Sequence, residues 1–159
     1  MAAVRNKGTK PEMLVRQYLF RHGYRYRINY SRLPGRPDIV LPKYRVVILV
    51  NGCFWHGHKG CKHSALPETN AAFWRAKIES NVRRDEEERR ILVGLGWRCI
   101  TVWECQLKPA EREKTLTSLV RALDDTYPDN REAHYTLSDE GGALTAAEPC
   151  TGDGVNTVI

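Results

Sequence analysis

A loop rich in metal-binding residue types follows directly on the most apolar run of the chain. Residues 44–50 (YRVVILV) form a run typical of a strand that is buried on both faces. The next segment, Val50 to Cys61 (VNGCFWHGHKGC), contains two cysteines, two histidines and an adjacent Phe-Trp pair. A buried strand that ends in such a loop presents these side chains at the edge of a sheet.

The patterns before the loop predict one helix and two further strands. Residues 9–12 (TKPE) form a capping box, and apolar residues at helical spacing predict a helix from about Lys10 to His22. Residues 24–30 (YRYRINY) alternate apolar and basic side chains, which predicts a half-buried strand. Residues 38–41 (DIVL) predict a strand adjacent to YRVVILV.

The patterns after the loop predict a long helix, a strand and a last helix. We expect Thr69 to cap the long helix and Gly94 and Gly96 to end it, followed by the strand WRCITVW at residues 97–103. Pro109 is expected to open an amphipathic helix. The predicted fold class is therefore α/β, with a mixed central sheet flanked by helices.

The length of 159 residues allows one domain with a substantial core. We expect it over residues 1–126, with a loose tail over residues 127–159 because no periodicity persists there. A net charge of +6 suits a polyanionic partner. Without a signal peptide or an apolar run long enough to span a bilayer, we expect a cytoplasmic protein with no membrane partner, whose five cysteines serve metals or chemistry rather than disulfides.

Three potential zinc ligands lie in the loop at the spacing C-x4-H-x2-C: Cys53, His58 and Cys61. Such ligands suit tetrahedral zinc better than magnesium or calcium. We expect Cys105 to be the fourth ligand, which would make the zinc structural, whereas Cys99 is interpreted as a small buried hydrophobe. Two alternatives stay open: His63 replaces His58, or these residues have no metal-binding role.

The spare imidazole of His56 is a candidate proton carrier, because it alternates with His58 along an extended loop and faces another way. Asp38, at the start of a strand adjacent to the loop, could lie near His56 and the Val50 carbonyl. A carboxylate and a carbonyl suffice for magnesium when substrate phosphate and water complete its octahedron. The alternatives are a surface histidine and a turn-forming aspartate.

Phe54, Trp55 and Trp74 are large aromatics close to these candidates or at the start of the long helix. Rings held rigidly outside the core beside a basic surface are typical of wedges that enter DNA between base pairs. Packing back onto the sheet explains their spacing equally well.

Four segments together resemble the very-short-patch-repair mismatch endonucleases: LPGRPDIV, NGCFWHGHKGC, FWRAKIESNVRRD and LGWRCITVWEC. The resemblance covers residues 1–107. It implies a restriction-endonuclease-like core with a structural zinc. It also implies an enzyme that nicks one DNA strand 5' to the T of a T:G mismatch, left by deamination of 5-methylcytosine.

The resemblance also implies roles for individual residues. Asp38 and the Val50 main-chain oxygen resemble the magnesium site, His56 the catalytic histidine, and Glu12 a glutamate that supports it. The zinc set is matched by Cys53, His58, Cys61 and Cys105, and the intercalating aromatics by Phe54, Trp55 and Trp74.

The chain departs from the family pattern at several points. Asn51 replaces a second active-site histidine, and an amide can hydrogen-bond a phosphate but carries no charge. Lys59-Gly60 adds one residue between His58 and Cys61. The strand VILVNG lacks the acidic-x-Lys motif of related nucleases, as expected where histidine replaces the lysine.

These observations predict a magnesium-dependent DNA nickase that acts as a monomer on mismatched double-stranded DNA, within a pathway of repair proteins. Two alternatives are a nuclease of the same fold with another DNA target and a non-catalytic, zinc-stabilised DNA-binding protein. A metal-sensing or structural basic domain is a third.

Overall fold

Three α-helices, four strands and three short 3-10 turns make up the described part of the protein. The computed structural model describes residues 8–126 and 157–158. The elements in chain order are α1 (Lys10–Arg21), β1 (Ile39–Leu41), β2 (Val46–Asn51), α2 (Ala71–Gly94), β3 (Arg98–Trp103), α3 (Arg112–Thr126) and β4 (Thr157–Val158).

The sheet has the strand order β1-β2-β3-β4 and is mixed. β1 runs antiparallel to β2, whereas β2 pairs with β3, and β3 with β4, in parallel. A parallel pair needs a crossover connection, which α2 provides between β2 and β3. The predicted mixed α/β sheet with flanking helices is confirmed, and the chain segments that leave β2 and β3 emerge at the same edge.

The two faces of the sheet pack into separate apolar clusters. On one face, Ile48 and Ile100 pack with residues of α1 and α3, among them Val15 and Leu119. On the other face, Leu92 of α2 packs in a smaller cluster with Val40, Val47 and Cys99. Cys99 is fully buried among these side chains, as expected of a cysteine that acts as a small hydrophobe.

The predicted strand at residues 24–30 is wrong. Only an isolated antiparallel bridge forms there, between Arg27 and Val40 of β1. Asn29 adopts a left-handed backbone conformation with φ of 51°, which cannot continue an extended strand. Tyr24 is nevertheless buried, as the pattern predicted, and packs in the core between the sheet, α1 and α3.

Two helix starts also differ from the prediction. α2 has Asn70, in the left-handed conformation, at its N-cap in place of Thr69. α3 begins at Arg112 rather than Pro109, because the N–H groups of Glu111 and Arg112 both bond the Lys108 carbonyl in a preceding turn. The predicted α1 is confirmed to within one residue at its C-terminal end.

The predicted loose tail at 127–159 lies outside the described residues except for Thr157 and Val158. These two pair with Ile100 and Thr101 of β3. Within residues 8–126 and 157–158, every helix is too short or too polar to cross a membrane.

Candidate active site and metal cluster

A cluster of three cysteines and one histidine lies at the edge where β2 and β3 end. Its members are Cys53, His58, Cys61 and Cys105. The first three belong to the loop after β2, and Cys105 lies in the short 3-10 turn Glu104–Leu107 that follows β3. Parallel pairing of β2 with β3 is therefore what brings residues so far apart in sequence together.

The geometry of this cluster fits a tetrahedral zinc ion. The four candidate ligand atoms all lie within 4.8 Å of one another. Zn–S bonds of about 2.3 Å place tetrahedral sulfur ligands about 3.8 Å apart, which this set can satisfy with small adjustments. His63 is directed elsewhere, with its Nε2 atom 2.6 Å from Lys108 Nζ. The structure thus brings His58, and not His63, to the cysteines.

His58 has the protonation state that a metal ligand needs. Burial lowers the pKa of His58, which favours the neutral imidazole that coordinates metals. Burial raises the pKa of Cys53 to about 12, so without a nearby cation this thiol keeps its proton. His58 is also held in place, because its ring stacks on Trp103 at 4.0 Å between centroids.

His56 is hydrogen bonded to a carboxylate that the sequence analysis did not identify. Its Nδ1 atom lies 2.5 Å from Oδ2 of Asp85, which projects from α2. A carboxylate accepts hydrogen bonds, so this contact places the proton on Nδ1 and leaves Nε2 as the basic nitrogen. The ring is thereby oriented and has one nitrogen available for proton transfer.

Asp38 lies against the end of β2. Its Oδ2 atom accepts a hydrogen bond of 2.8 Å from the Val50 N–H. The N–H and C=O of one strand residue face the same neighbouring strand, so the Val50 carbonyl points to this side as well. The pKa of Asp38 is raised to about 6, mainly by burial. The Val50 hydrogen bond and the charges of His56 and Arg16 oppose this rise, whereas the Glu12 charge adds to it.

Glu12 and Asn51 are both buried close to these residues. The carboxylate of Glu12 accepts from the Gly8 N–H and from Arg16, each at 2.9 Å, and Thr9 caps the helix through the Glu12 N–H. These contacts extend the predicted capping box, while the predicted support of His56 by Glu12 stays a prediction. Asn51 ends β2 in register with Trp103.

The three candidate wedge residues form one group of rings. Centroid distances are 5.2 Å between Phe54 and Trp55, 5.5 Å between Phe54 and Trp74, and 6.0 Å between Trp55 and Trp74, all in edge-to-face arrangements. Trp55 remains 38% exposed, so the group is only partly covered by the rest of the protein.

One face of α2 holds the loop in position. The buried amide of Asn81 donates to the Trp55 carbonyl at 3.0 Å, one turn before Asp85 bonds His56. Neither residue was predicted from the sequence: Asn81 carries no motif, and Asp85 lies within the highly charged run RRDEEERR at residues 83–90. Helical spacing could have identified them, since positions 74, 78, 81 and 85 form one stripe.

The sheet edge therefore combines three chemical elements. A buried carboxylate and a strand carbonyl offer oxygen ligands for a hard cation. An oriented imidazole offers a base, and partly exposed rings offer a surface for stacking. This combination is suited to hydrolysis of a phosphodiester held next to the rings.

Comparison with known proteins points to the same chemistry. Residues 1–63 match the profile of the family described as DNA mismatch endonuclease Vsr. The type II nicking enzyme V.NmeAIP of Neisseria meningitidis serogroup A is 45% identical over 126 residues, 79% of this chain and 89% of the relative. V.XorIIP of Xanthomonas oryzae pv. oryzae, also named a type II nicking enzyme, is 48% identical over 107 residues, 67% of this chain and 78% of the relative. The DNA mismatch endonuclease Vsr of Escherichia coli K12 is 41% identical over 112 residues, which are 70% of this chain and 71% of the relative.

Proposed function

The chain belongs to the Vsr family of DNA mismatch endonucleases, and from this premise we propose that it nicks one strand of duplex DNA 5' to the T of a T:G mismatch. The relatives are named as mismatch and nicking endonucleases, so cleavage of DNA is the reaction class. The T:G substrate, its origin in 5-methylcytosine deamination and the dependence on magnesium belong to the proposal. So does action as a monomer in the cytoplasm, alongside other repair proteins.

The hydrogen bond between His56 and Asp85 carries the proposal. Asp85 holds the imidazole so that Nε2 of His56 can take a proton from the attacking water. The water oxygen then bonds to phosphorus while the bond from phosphorus to the 3'-oxygen breaks. The products are a 3'-hydroxyl and a 5'-phosphate on the thymidine.

Asp38 and the Val50 carbonyl would hold a magnesium ion. The pair fits a hard cation because both donors are oxygens and the Asp38 side chain is already fixed against Val50. Once bound, the ion supplies polarisation of the scissile phosphate and stabilises charge on the leaving 3'-oxygen. Glu12 and Asn51 are proposed to support this site from the positions they occupy beside it.

The zinc ligands and the wedge residues have separate proposed roles. Zinc held by Cys53, His58, Cys61 and Cys105 would fix the loop that carries both His56 and two of the rings. Phe54, Trp55 and Trp74 would enter the duplex beside the mismatch. A wobble pair costs less to unstack than a matched pair, which gives the enzyme a basis for discrimination.

The proposal is tested by strand-specific cleavage of labelled duplexes. T:G, C:G and other mismatched pairs, placed in several methylation-type sequence contexts, are incubated with magnesium or with EDTA. We expect nicking only 5' to the T of T:G duplexes, only with magnesium, and its loss in His56→Ala. Cleavage of all duplexes would indicate a nuclease with another target, and tight binding without a nick would indicate a non-catalytic DNA-binding protein.

A further inference from the structure

A fourth aromatic ring adjoins the three wedge candidates and has no place in the roles described above. Phe73 lies in the first turn of α2 and is 63% exposed, more than any other large apolar side chain among residues 8–126. Leaving a phenyl ring in water forgoes most of the stabilisation that burial would give. Single exposed apolar residues are common, however, so exposure alone identifies no role.

The position of Phe73 relative to the wedge is more informative. Its ring centroid lies 5.3 Å from that of Trp74, in an edge-to-face arrangement. Trp74 in turn contacts Phe54 and Trp55 at 5.5 Å and 6.0 Å. The exposed ring therefore continues a connected aromatic surface toward the N-terminal end of α2.

The electrostatic surroundings favour DNA as the molecule that covers this ring. Lys77, which is exposed, lies one turn after Phe73 on the same face of the helix, and the exposed Arg75 adds a second positive charge to the same turn. The amino-terminal end of a helix also carries partial positive charge, which adds to theirs. An apolar ring close to positive charge matches the arrangement in which proteins stack on bases while they neutralise phosphates.

We propose that Phe73 is a fourth DNA-contacting aromatic, which stacks on a nucleotide next to the mismatch and extends the wedge of Phe54, Trp55 and Trp74. The inference rests on the proposed function, because it assigns Phe73 to the same bound duplex. It also makes Phe73 a determinant of specificity: the ring gains its contact only where the wedge has opened the duplex, so it should favour T:G over C:G.

Ile91 provides a matched control on the same helix. It is 46% exposed and lies 18 residues further on, which is five full helical turns and therefore the same helix face as Phe73. The two side chains are about 27 Å apart along the helix axis. Ile91→Ala reproduces the loss of an exposed apolar side chain from α2 without affecting the wedge.

The test compares the wild type with Phe73→Ala, Phe73→Leu and Ile91→Ala. Equilibrium binding to T:G and C:G duplexes is measured in calcium buffer, and single-turnover nicking in magnesium. We expect Phe73→Ala to weaken T:G binding about tenfold, the size of one lost base-stacking contact, with less than a twofold change for C:G. Phe73→Leu, which keeps the apolar bulk and the helix start, should lose affinity to an intermediate degree.

The outcomes separate this inference from the function on which it rests. If the wild type prefers T:G and Phe73→Ala binds like Ile91→Ala, Phe73 does not contact the DNA and the inference is overturned. Equal loss on both duplexes overturns it too, because the ring would then act independently of the mismatch. A wild type with no preference for T:G overturns the proposed function itself. Thermal unfolding of each variant shows whether a loss of affinity follows from a damaged fold. If Phe73→Leu folds normally and binds T:G duplexes as tightly as the wild type does, that result also contradicts the inference.

Discussion

His56 and Asp85 are hydrogen bonded at 2.5 Å between Nδ1 and Oδ2, although 29 residues separate them in the sequence. One belongs to the loop after β2 and the other to α2, so the crossover helix itself supplies the partner of the candidate base. Because Asn81 of the same helix holds the Trp55 carbonyl, base and wedge share a single support.

Replacing His56 or Asp85 should slow nicking, each for a different reason. His56→Ala removes the base, and we expect the single-turnover rate to fall by about 10² to 10⁴. Asp85→Asn keeps the size but favours the wrong imidazole tautomer, so the rate should fall as well while binding of T:G duplexes stays within about twofold. Glu87→Gln, at an exposed position on α2, is the matched control. Full activity of Asp85→Asn would contradict the proposed role of the pair.

The acidic limb of the pH profile should depend on the magnesium concentration. Burial raises the pKa of Asp38 to about 6, and only the ionised carboxylate binds magnesium. At limiting magnesium the nicking rate should therefore fall as the pH drops through about 6. Saturating magnesium competes with the proton and should move this midpoint to lower pH, whereas a midpoint independent of magnesium would show that another group controls the limb.

The same carboxyl should reduce stability at neutral pH. Its pKa is raised from 3.8 to about 6 in the folded state, so the fold binds the proton more tightly than the unfolded chain does. The associated stability is present below pH 3.8 and is lost as the pH rises through about 6. In magnesium-free buffer at pH 8, Asp38→Asn should thus increase the free energy of unfolding, by about 3 kcal/mol.

Denaturant unfolding at pH 8 and pH 4 measures this effect. Most of the gain should disappear at pH 4, where the carboxyl of the folded protein is protonated. Asp125→Asn, at an exposed carboxylate, should change little at either pH. A loss of stability in Asp38→Asn at pH 8 would mean that the ionised side chain is stabilising in its site.

Metal content should distinguish the two histidines beside the cysteines. We expect one zinc per chain in the purified protein, and its loss together with a lower melting temperature in His58→Ala and Cys105→Ser. His63→Ala and Cys99→Ala should retain the metal, because His63 contacts Lys108 and Cys99 is buried within the sheet. Elemental analysis measures this directly, and zinc retained by His58→Ala would exclude the cluster as assigned.

Much of the sheet could be predicted because its strands are short apolar runs bounded by turn residues. The patterns DIVL, YRVVILV and WRCITVW correspond to β1, β2 and β3. The alternation in YRYRINY was misleading, because period-two patterning reports which side chains are buried and not whether a partner strand is available. There the backbone turns at Asn29, and one bridge is all that forms.

One part of the candidate site could likewise be predicted from the sequence, and another part could not. Its ligand cluster was predictable because three members lie within nine residues and a fourth follows a neighbouring strand. Asp85 was not predicted, since within its charged run only the helical stripe that it shares with positions 74, 78 and 81 distinguishes it from its solvated neighbours. Only the docking of α2 against the loop makes it the partner of His56.

The division of the cysteine and histidine cluster between the ends of β2 and β3 has a consequence for the order of folding. Three ligands lie close together after β2, but the fourth arrives only when α2 and β3 have been added. A refolding chain should therefore first capture zinc weakly through three ligands and complete the shell when β2 and β3 pair. Stopped-flow refolding with and without zinc tests this order. Full coordination of the metal would then form after the rate-limiting step of folding. Zinc would therefore slow unfolding far more than it speeds folding.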